Sequence, residues 1–450
     1  MASKYLHDMT EGNEISLLIK FSLPMLVGNI FQQFYNIIDS VVVGRYIGAN
    51  ALAAVGATGS LNFLFFSVCM GLSVGIGIII SQYFGAKRET QVKRAIANSI
   101  YVIGAAGIIM SIIAVVFARD ILQILRTPAD IIDDATVFLR IVSGGMIAVA
   151  AYNAISSILR ALGDSTTPLI FLVISCGVNV VLDLIFVLKL GLGVAGTGYA
   201  TIISQATAAL GCIIFAMTKN PYFKLKKEHL KLDWPIVAKC VKIGVPVATQ
   251  SSMIAVSLVA LQSVVNGFGE IAVAAFTATS RIEQLIQQPF NSLGAALSTF
   301  SGQNMGANKI DRVKKGFHKS IFIVAVLSIV ALLAAQFGGR LIIELFVKDE
   351  AVIAMGAMAL KITSCMYFPL GMINITRGLL NGTGDAVYAM INGFIEVVGR
   401  VGFSSVLAMI PIFGVWSVWI TTGLTWVITA IASVIRYRQG KWESKSLVAH

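Results

Sequence analysis

The sequence predicts an all-α integral membrane protein with twelve transmembrane helices in two six-helix bundles. Hydrophobic residues make up 57% of the 450-residue chain and charged residues only 12%, whereas soluble domains carry about 25% charged residues. Apolar runs long enough to cross a bilayer recur along the whole chain. The second half also repeats the first half in order.

Each apolar run has about the 20 residues that a spanning helix needs. Several are longer, which indicates tilt or extension beyond the bilayer. The predicted segments are 17–43, 51–83, 95–117, 136–158, 168–188, 194–217, 236–265, 272–300, 317–338, 352–376, 386–410 and 413–436.

Basic residues set the predicted orientation. Alternate gaps between the segments contain Lys/Arg clusters, at 87–94, 219–231, 309–315 and 436–441. The remaining gaps hold fewer basic residues, namely Arg45, Arg119, Arg126, Lys189, Arg340 and Lys348. Because Lys/Arg-rich loops stay on the cytoplasmic side, both termini are predicted to be cytoplasmic in a plasma (inner) membrane.

Two classes of protein are disfavoured. The net charge of +12 does not indicate nucleic-acid binding, because the basic residues lie in loop clusters and form no single stripe; the lipid bilayer is the expected partner. An enzyme is disfavoured because the sequence contains no HExxH motif. No cofactor is expected. None of the histidines lies in the middle of a predicted span; they are His7, His229, His318 and His450.

The longest polar stretch, residues 218–235, divides the chain near its middle. We expect it to be a cytoplasmic linker. It separates an N-terminal six-helix bundle (1–217) from a C-terminal six-helix bundle with a cytoplasmic tail (236–450). Because six is an even number, the two repeats run in the same direction and are related by a pseudo-two-fold axis along the membrane normal.

Four ordered matches carry this repeat. They are IKFSLP (19–24) with VKIGVP (241–246), ALAAVGATGS (51–60) with AVAAFTATSR (272–281), SQYFGAK (81–87) with GQNMGAN (302–308), and GVAGTGYAT (193–201) with GVWSVWITT (414–422). Two such bundles around a central cleft suit alternating access.

Acidic side chains within the membrane are costly unless they are paired or face water. Asp39 is the only acid in the first predicted helix, and Gln32 lies two turns before it on the same face. Asp183 is the only acid in the fifth helix, and Asn179 lies one turn before it.

The helical rise of 1.5 Å per residue estimates the depth of these groups. Asp183 lies about 22 Å from the cytoplasmic start of its helix, Asp39 about 25–30 Å along the first helix, and Thr201 about 10 Å from the outer start of the sixth. All three therefore reach the outer part of the N-terminal bundle and can meet there. Their oxygen atoms suit a hard cation such as Na⁺, and two close carboxylates can instead share a proton.

The C-terminal half has a different set of charges. Its first helix carries TQSS (249–252) and no acid at this depth. Glu396 and Arg400 are four residues apart and can form an internal ion pair. In the alternative interpretation, Glu283 or Glu396 faces the cleft and attracts cationic substrates.

Aromatic and methionine side chains can line a substrate cleft, because such surfaces adapt to varied ligands. The candidates in the N-terminal half are Phe31, Phe34, Tyr35 and Met70.

Five motifs together resemble the multidrug and toxic compound extrusion (MATE) family, in particular its prokaryotic branch with a cation site in the N-terminal lobe. They are QQFYNIIDSVVVG in the first helix, SQYFGAK at the end of the second, LRALGDSTTP entering the fifth, NVVLDLIF within it, and GVAGTGYAT in the sixth.

The resemblance implies export of amphipathic, often cationic, compounds by antiport with H⁺ or Na⁺. Asp39, Asn179, Asp183 and Thr201 match the N-lobe cation site of that family, and Gln32 matches a neighbouring polar position. If the ion is Na⁺, the first four residues are its expected ligands.

The alternative function is a flippase for a lipid-linked saccharide, from the same superfamily. Such a flippase needs several basic residues in its cleft to hold a pyrophosphate. The membrane-embedded arginines here are few, essentially Arg281 and Arg400. A transporter built from two bundles can act as a monomer, which is the expected state.

Overall fold

The computed structural model describes residues 6–448, and no residue in that range lies in a β-strand. The first eight helices are α1 (Glu14–Val42), α2 (Ala49–Gly85), α3 (Glu89–Val116), α4 (Ala118–Ile124), α5 (Ala129–Gly144), α6 (Met146–Ala161), α7 (Thr166–Leu184) and α8 (Gly193–Lys219). The others are α9 (Trp234–Asn266), α10 (Glu270–Gly306), α11 (Ile310–Glu344), α12 (Glu350–Ser364), α13 (Tyr367–Thr383), α14 (Ala386–Ala408) and α15 (Ser417–Arg438).

All twelve predicted segments are helical, and the predicted all-α membrane fold is confirmed. Within the described residues, nine helices are each long and apolar enough to cross a membrane, and two bent pairs pass the same test as joint spans. The pairs are α5–α6, bent by 46°, and α12–α13, bent by 54°. The first bend falls at Gly144–Gly145, and adjacent small residues are a common cause of sharp kinks.

Helix α10 is the remaining predicted span. It has 37 residues, which is ample length, but it is not among the apolar spans. Its middle carries Arg281, Glu283 and a series of amide side chains, so polar groups replace part of the surface that lipid would otherwise contact.

The chain forms two compact units. Among the described residues, unit 1 comprises Leu23–Thr249 with residues 6–8, and unit 2 comprises Met9–Ser22 with residues 250–448. The division therefore falls inside α9 and not within the predicted linker 218–235.

Close packing within unit 1 explains this position. A Cβ atom at Gly75 of α2 would lie 2.8 Å from the backbone nitrogen of Gly244 of α9, and one at Gly71 would overlap the backbone of Ala248. Because these positions carry little or no side chain, the two helices pack backbone to backbone. The first half of α9 is consequently held on α2.

The polar stretch 218–235 is also held on unit 1. Asn98 of α3 donates to the carbonyl of Lys231 (3.2 Å) and accepts from the backbone N–H of Asp233 (2.8 Å). The hydroxyl of Tyr101 donates to the carbonyl of Leu230 (2.7 Å). The stretch is thus fixed along one helix by backbone contacts.

In unit 2, the segment that begins at Met9 is anchored between α10 and α11. The backbone N–H of Met9 donates to Gln303 Oε1 (2.8 Å), and Asn304 Nδ2 donates to the carbonyl of Met9 (3.1 Å). Arg312 and Glu14 form an ion pair at 3.0 Å. These contacts account for the assignment of residues 9–22 to this unit.

Candidate functional site

Two acidic residues come together in unit 1. Asp39 lies in the last turn of α1 and Asp183 is the penultimate residue of α7. Their carboxyl groups are within hydrogen-bonding distance of each other. Asp183 is fully buried and Asp39 is half-buried. The sequence estimate that both groups reach the same depth therefore agrees with the geometry.

A π-helical segment follows each acid. Residues Val43–Ile47 continue α1, and residues Ile185–Lys189 continue α7. The two segments contact each other. Widened turns of this kind often mark functional sites in helices, and here they end both acid-bearing helices beside the carboxyl pair. Nothing in the sequence analysis predicted them.

Asn179 connects the acid pair to α8. With its amide oriented to satisfy both neighbours, its nitrogen donates to Asp183 Oδ2 at 2.8 Å and its oxygen accepts from the backbone N–H of Thr201 at 3.3 Å. The side chain is buried, with 1% exposed. One buried amide thus fixes the position of the Asp183 carboxyl relative to α8.

Thr201 and Tyr35 complete the group. The hydroxyl of Tyr35 lies 3.4 Å from Thr201 Oγ1. The Thr201 hydroxyl itself donates to the carbonyl of Thr197 at 2.9 Å. The sequence analysis assigned Tyr35 to a substrate cleft and did not place it in the cation group. Its spacing of four residues before Asp39 was the available signal, because residues i and i+4 share a helical face.

The group retains free acceptor capacity. Oδ1 of Asp39 and Oδ1 of Asp183 are buried, and neither has a hydrogen-bond partner within residues 6–448. Native proteins rarely leave buried carboxylate oxygens unpaired. A proton shared by the pair, or a hard cation bound by their oxygens, would satisfy them.

The donor set suits a monovalent cation or a proton better than a transition metal. No group of three or more His, Cys, Asp or Glu side chains suitable for a metal occurs in the described part of the chain. The oxygen donors at hand are two carboxyls and one hydroxyl, from Asp39, Asp183 and Thr201, while the amide oxygen of Asn179 is bonded to the Thr201 N–H. Hard oxygen ligands of this kind fit Na⁺ and not a soft metal.

The family is identified by comparison with known proteins. The family model MatE matches residues 24–185 and again residues 246–406, once in each half. The chain belongs to the MatE family. The double match also agrees with the internal repeat seen in the sequence.

Matches to relatives and to a solved structure cover nearly the whole of this MatE chain. It is 29% identical over 454 residues to the probable multidrug resistance protein YpnP of Bacillus subtilis (strain 168), covering 98% of each chain. It is 27% identical over 435 residues to the probable multidrug resistance protein YoeA of the same organism, covering 95% of this chain and 94% of that one.

The solved structure is an outward-facing multidrug resistance MATE family transporter of the MOP superfamily. It matches with a TM-score of 0.92 at 21% identity and covers 98% of each chain. At that identity the likeness shows the fold. Together with the apolar spans, it establishes that this MatE protein is a multi-pass membrane protein.

The remaining unit 1 candidates lie apart from the hydrogen-bonded group. Gln32 is exposed and takes no part in the bonds that join Asn179, Asp183 and Thr201. Phe31 of α1 and Met70 of α2 have exposed side chains. Their exposure leaves both side chains accessible to a ligand.

In unit 2 of this MatE protein, Glu396 is bound by two arginines. Its Oε1 lies 2.8 Å from Arg400 Nη2, and its Oε2 lies 3.2 Å from Arg377 Nη2. Arg400 also donates to Ser257 Oγ at 2.7 Å. The predicted Glu396–Arg400 pair is therefore present, and Arg377 of α13 is an additional partner that the sequence analysis did not pair with Glu396.

Glu283 has a different environment. Its carboxyl group faces the hydroxyl of Thr363, with Tyr367 nearby. Oε1 of Glu283 and the hydroxyl of Tyr367 are buried without a hydrogen-bond partner among residues 6–448. The carboxyl thus points into unit 2, where Arg400, the ion-pair partner of Glu396, is close enough to act on its charge.

Proposed function

We propose that this MatE protein is a secondary active multidrug efflux transporter that exchanges small amphipathic molecules, often cationic, for H⁺ or Na⁺. The observation that carries the proposal is the close pair of carboxyls of Asp39 and Asp183, in which one buried oxygen of each has no hydrogen-bond partner among the described residues. A buried acid pair inside a membrane bundle is costly to maintain and typical of ion pathways.

The names of the relatives support the substrate class. YpnP and YoeA are both described as probable multidrug resistance proteins, and the structural match is a multidrug resistance transporter. The site geometry supports the coupling. Asn179 donates its amide nitrogen to the Asp183 carboxyl, and Thr201 adds a hydroxyl oxygen, so a small cation or a proton can be held by the two carboxyls and the hydroxyl.

Antiport requires that the ion and the substrate favour different conformations. In the proposed cycle the ion enters from outside, binds the acid pair and stabilises a conformation with low substrate affinity. The substrate leaves outward and the ion leaves inward. A tenfold ion gradient supplies about 1.4 kcal/mol per ion, so one ion per substrate can support about a tenfold substrate gradient.

The proposed location is the plasma membrane with both termini in the cytoplasm. The basic clusters at 87–94 and 309–315 support this orientation. No cofactor beyond the coupling ion is needed in this scheme, and a single chain carries the whole acid site.

The test is dye efflux from proteoliposomes under a Na⁺ gradient and, separately, a proton gradient. Wild type is compared with Asp39→Asn and Asp183→Asn, and Asp134→Asn serves as the control because its carboxyl is exposed on α5. We expect one gradient to drive efflux in wild type and in the control, and both site variants to lose it. If Asp183→Asn retains gradient-driven efflux, the coupling site is elsewhere. If neither gradient moves dye in wild type, lipid-linked saccharide flipping becomes the function to test.

A further inference from the structure

Helix α10 carries an exposed polar face. Arg281, Gln284, Gln288 and Asn291 follow one another at spacings of three, four and three residues, which places them on one side of a helix. Arg281, Gln284 and Asn291 are exposed and Gln288 is half-buried. We call these four residues the α10 polar face.

The opposite side of α10 is the one that packs inside unit 2. Ile282, Phe290, Leu293 and Leu297 are buried, and α10 contacts α11, α12 and α13. The α10 polar face therefore points away from the interior of its own unit.

Lipid is an unsuitable environment for this face. Arg281 lies about 16 Å from the first residue of α10, and Asn291 lies about 22 Å from the last. The face thus occupies the middle of a long helix. Amide and guanidinium groups exposed to hydrocarbon lose their hydrogen bonds, so a polar face at this depth lines water.

The first repeat lacks such a face. When the matched segments ALAAVGATGS and AVAAFTATSR are aligned, Ser60 of α2 occupies the position that Arg281 occupies in α10. Farther along α2, Phe63 and Met70 are exposed. The polar face is therefore a feature of α10 and not a general property of this helix position in the fold.

The charge on the face is positive. Arg281 forms no hydrogen bond or ion pair within the described part of the chain. The nearest acid in sequence, Glu283, directs its carboxyl toward Thr363 inside the unit. A guanidinium has only donors, in a planar fork that matches a carboxylate, and amides offer both donors and acceptors.

We propose that the α10 polar face binds the anionic group of zwitterionic or acidic amphipathic substrates, with Arg281 as the direct partner of a carboxylate. The inference rests on the proposed transport function and extends its substrates beyond simple cations. Gln284, Gln288 and Asn291 supply further hydrogen bonds to polar groups of the same ligand. A permanent cation gains nothing from Arg281.

Two matched dyes test the proposal. Rhodamine 110 is a zwitterion with a free carboxylate, and rhodamine 123 is its cationic methyl ester. Binding is measured by fluorescence anisotropy to purified protein in phosphatidylcholine nanodiscs, for wild type, Arg281→Gln, Arg281→Lys and Arg438→Gln. Arg438 is the control because it is an exposed arginine at the end of α15.

Loss of a charged hydrogen bond predicts that Arg281→Gln raises the Kd for rhodamine 110 roughly tenfold or more and leaves the Kd for rhodamine 123 within about twofold. Arg281→Lys restores part of the affinity, because a point charge replaces the fork. Arg438→Gln binds both dyes as wild type does.

Three outcomes would overturn the proposal. One is an equal loss for both dyes in Arg281→Gln, which indicates a structural role. Another is unchanged binding of rhodamine 110. The third is a loss of dye binding that depends on whether anionic lipid is added to the nanodiscs and not on which dye is used, which indicates that Arg281 binds lipid headgroups. The binding measurement needs no ion gradient. A failure of gradient-driven efflux would therefore contradict the proposed transport function without deciding whether Arg281 binds the carboxylate of rhodamine 110.

Discussion

The hydroxyl of Tyr35 lies 3.4 Å from the hydroxyl of Thr201 and joins α1 to α8 beside the Asp39–Asp183 pair. Because the backbone N–H of Thr201 also donates to the amide oxygen of Asn179 on α7, three helices meet at one residue. Ion binding at the acids, as proposed, would thereby be linked to the relative position of α1, α7 and α8 within unit 1.

Tyr35→Phe should weaken ion binding without preventing folding. The substitution removes one hydroxyl and keeps the ring, and a hydrogen bond of this kind contributes about 0.5–1.5 kcal/mol. We expect the ion concentration at half-maximal efflux to rise about two- to tenfold. The ion dependence of dye efflux is the measurement, and Tyr199→Phe, an exposed tyrosine on α8, is the control. An unchanged ion dependence would show that the Tyr35 hydroxyl does not contribute.

Asn179→Ala should weaken the coupling of efflux to the ion gradient more strongly than Tyr35→Phe does. The variant removes both the donor to Asp183 Oδ2 and the acceptor of the Thr201 N–H, and leaves a buried carboxyl oxygen without its partner. The expected loss is about 1.5–3 kcal/mol, or roughly 10- to 150-fold in apparent ion affinity. Gradient-driven efflux at several ion concentrations tests this. Asn153→Ala, whose amide donates to a carbonyl of its own helix, is the matched control and should behave as wild type.

Glu396→Gln should destabilise unit 2. It leaves Arg400 and Arg377 without the carboxylate that both contact, and an uncompensated buried charge costs about 3–5 kcal/mol. We expect the double variant Glu396→Gln, Arg400→Gln to recover part of this loss, because it removes the more buried charge. Thermal unfolding in detergent measures the order of stability. A double variant less stable than Glu396→Gln alone would contradict the interpretation as an ion pair.

Gly75→Ala should loosen the packing of α2 on α9. The new methyl group would lie 2.8 Å from the backbone nitrogen of Gly244, and overpacking of this kind costs about 1–3 kcal/mol. Gly104→Ala is the control, because open space surrounds a Cβ at that position and alanine favours the helix by roughly 1 kcal/mol. Melting temperatures of the two variants should therefore move in opposite directions.

The sequence alone determined the membrane class, the twelve helical segments and the residues Asp39, Asn179, Asp183 and Thr201 as one group. Span length and the rarity of acids in apolar runs are local properties that hydropathy records directly. Depth along a helix follows from a constant rise per residue. The repeat was visible because four short matches occur in the same order in both halves.

Only the tertiary structure decided which groups actually touch. The inclusion of Tyr35 in the acid site, the second arginine on Glu396 and the division of the chain within α9 all depend on contacts between helices distant in sequence. Helical periodicity gives the face of a residue but not the identity of the helix that packs there. Backbone contact at Gly75 and Gly244 depends on a shape match between two helices, which one sequence pattern cannot specify.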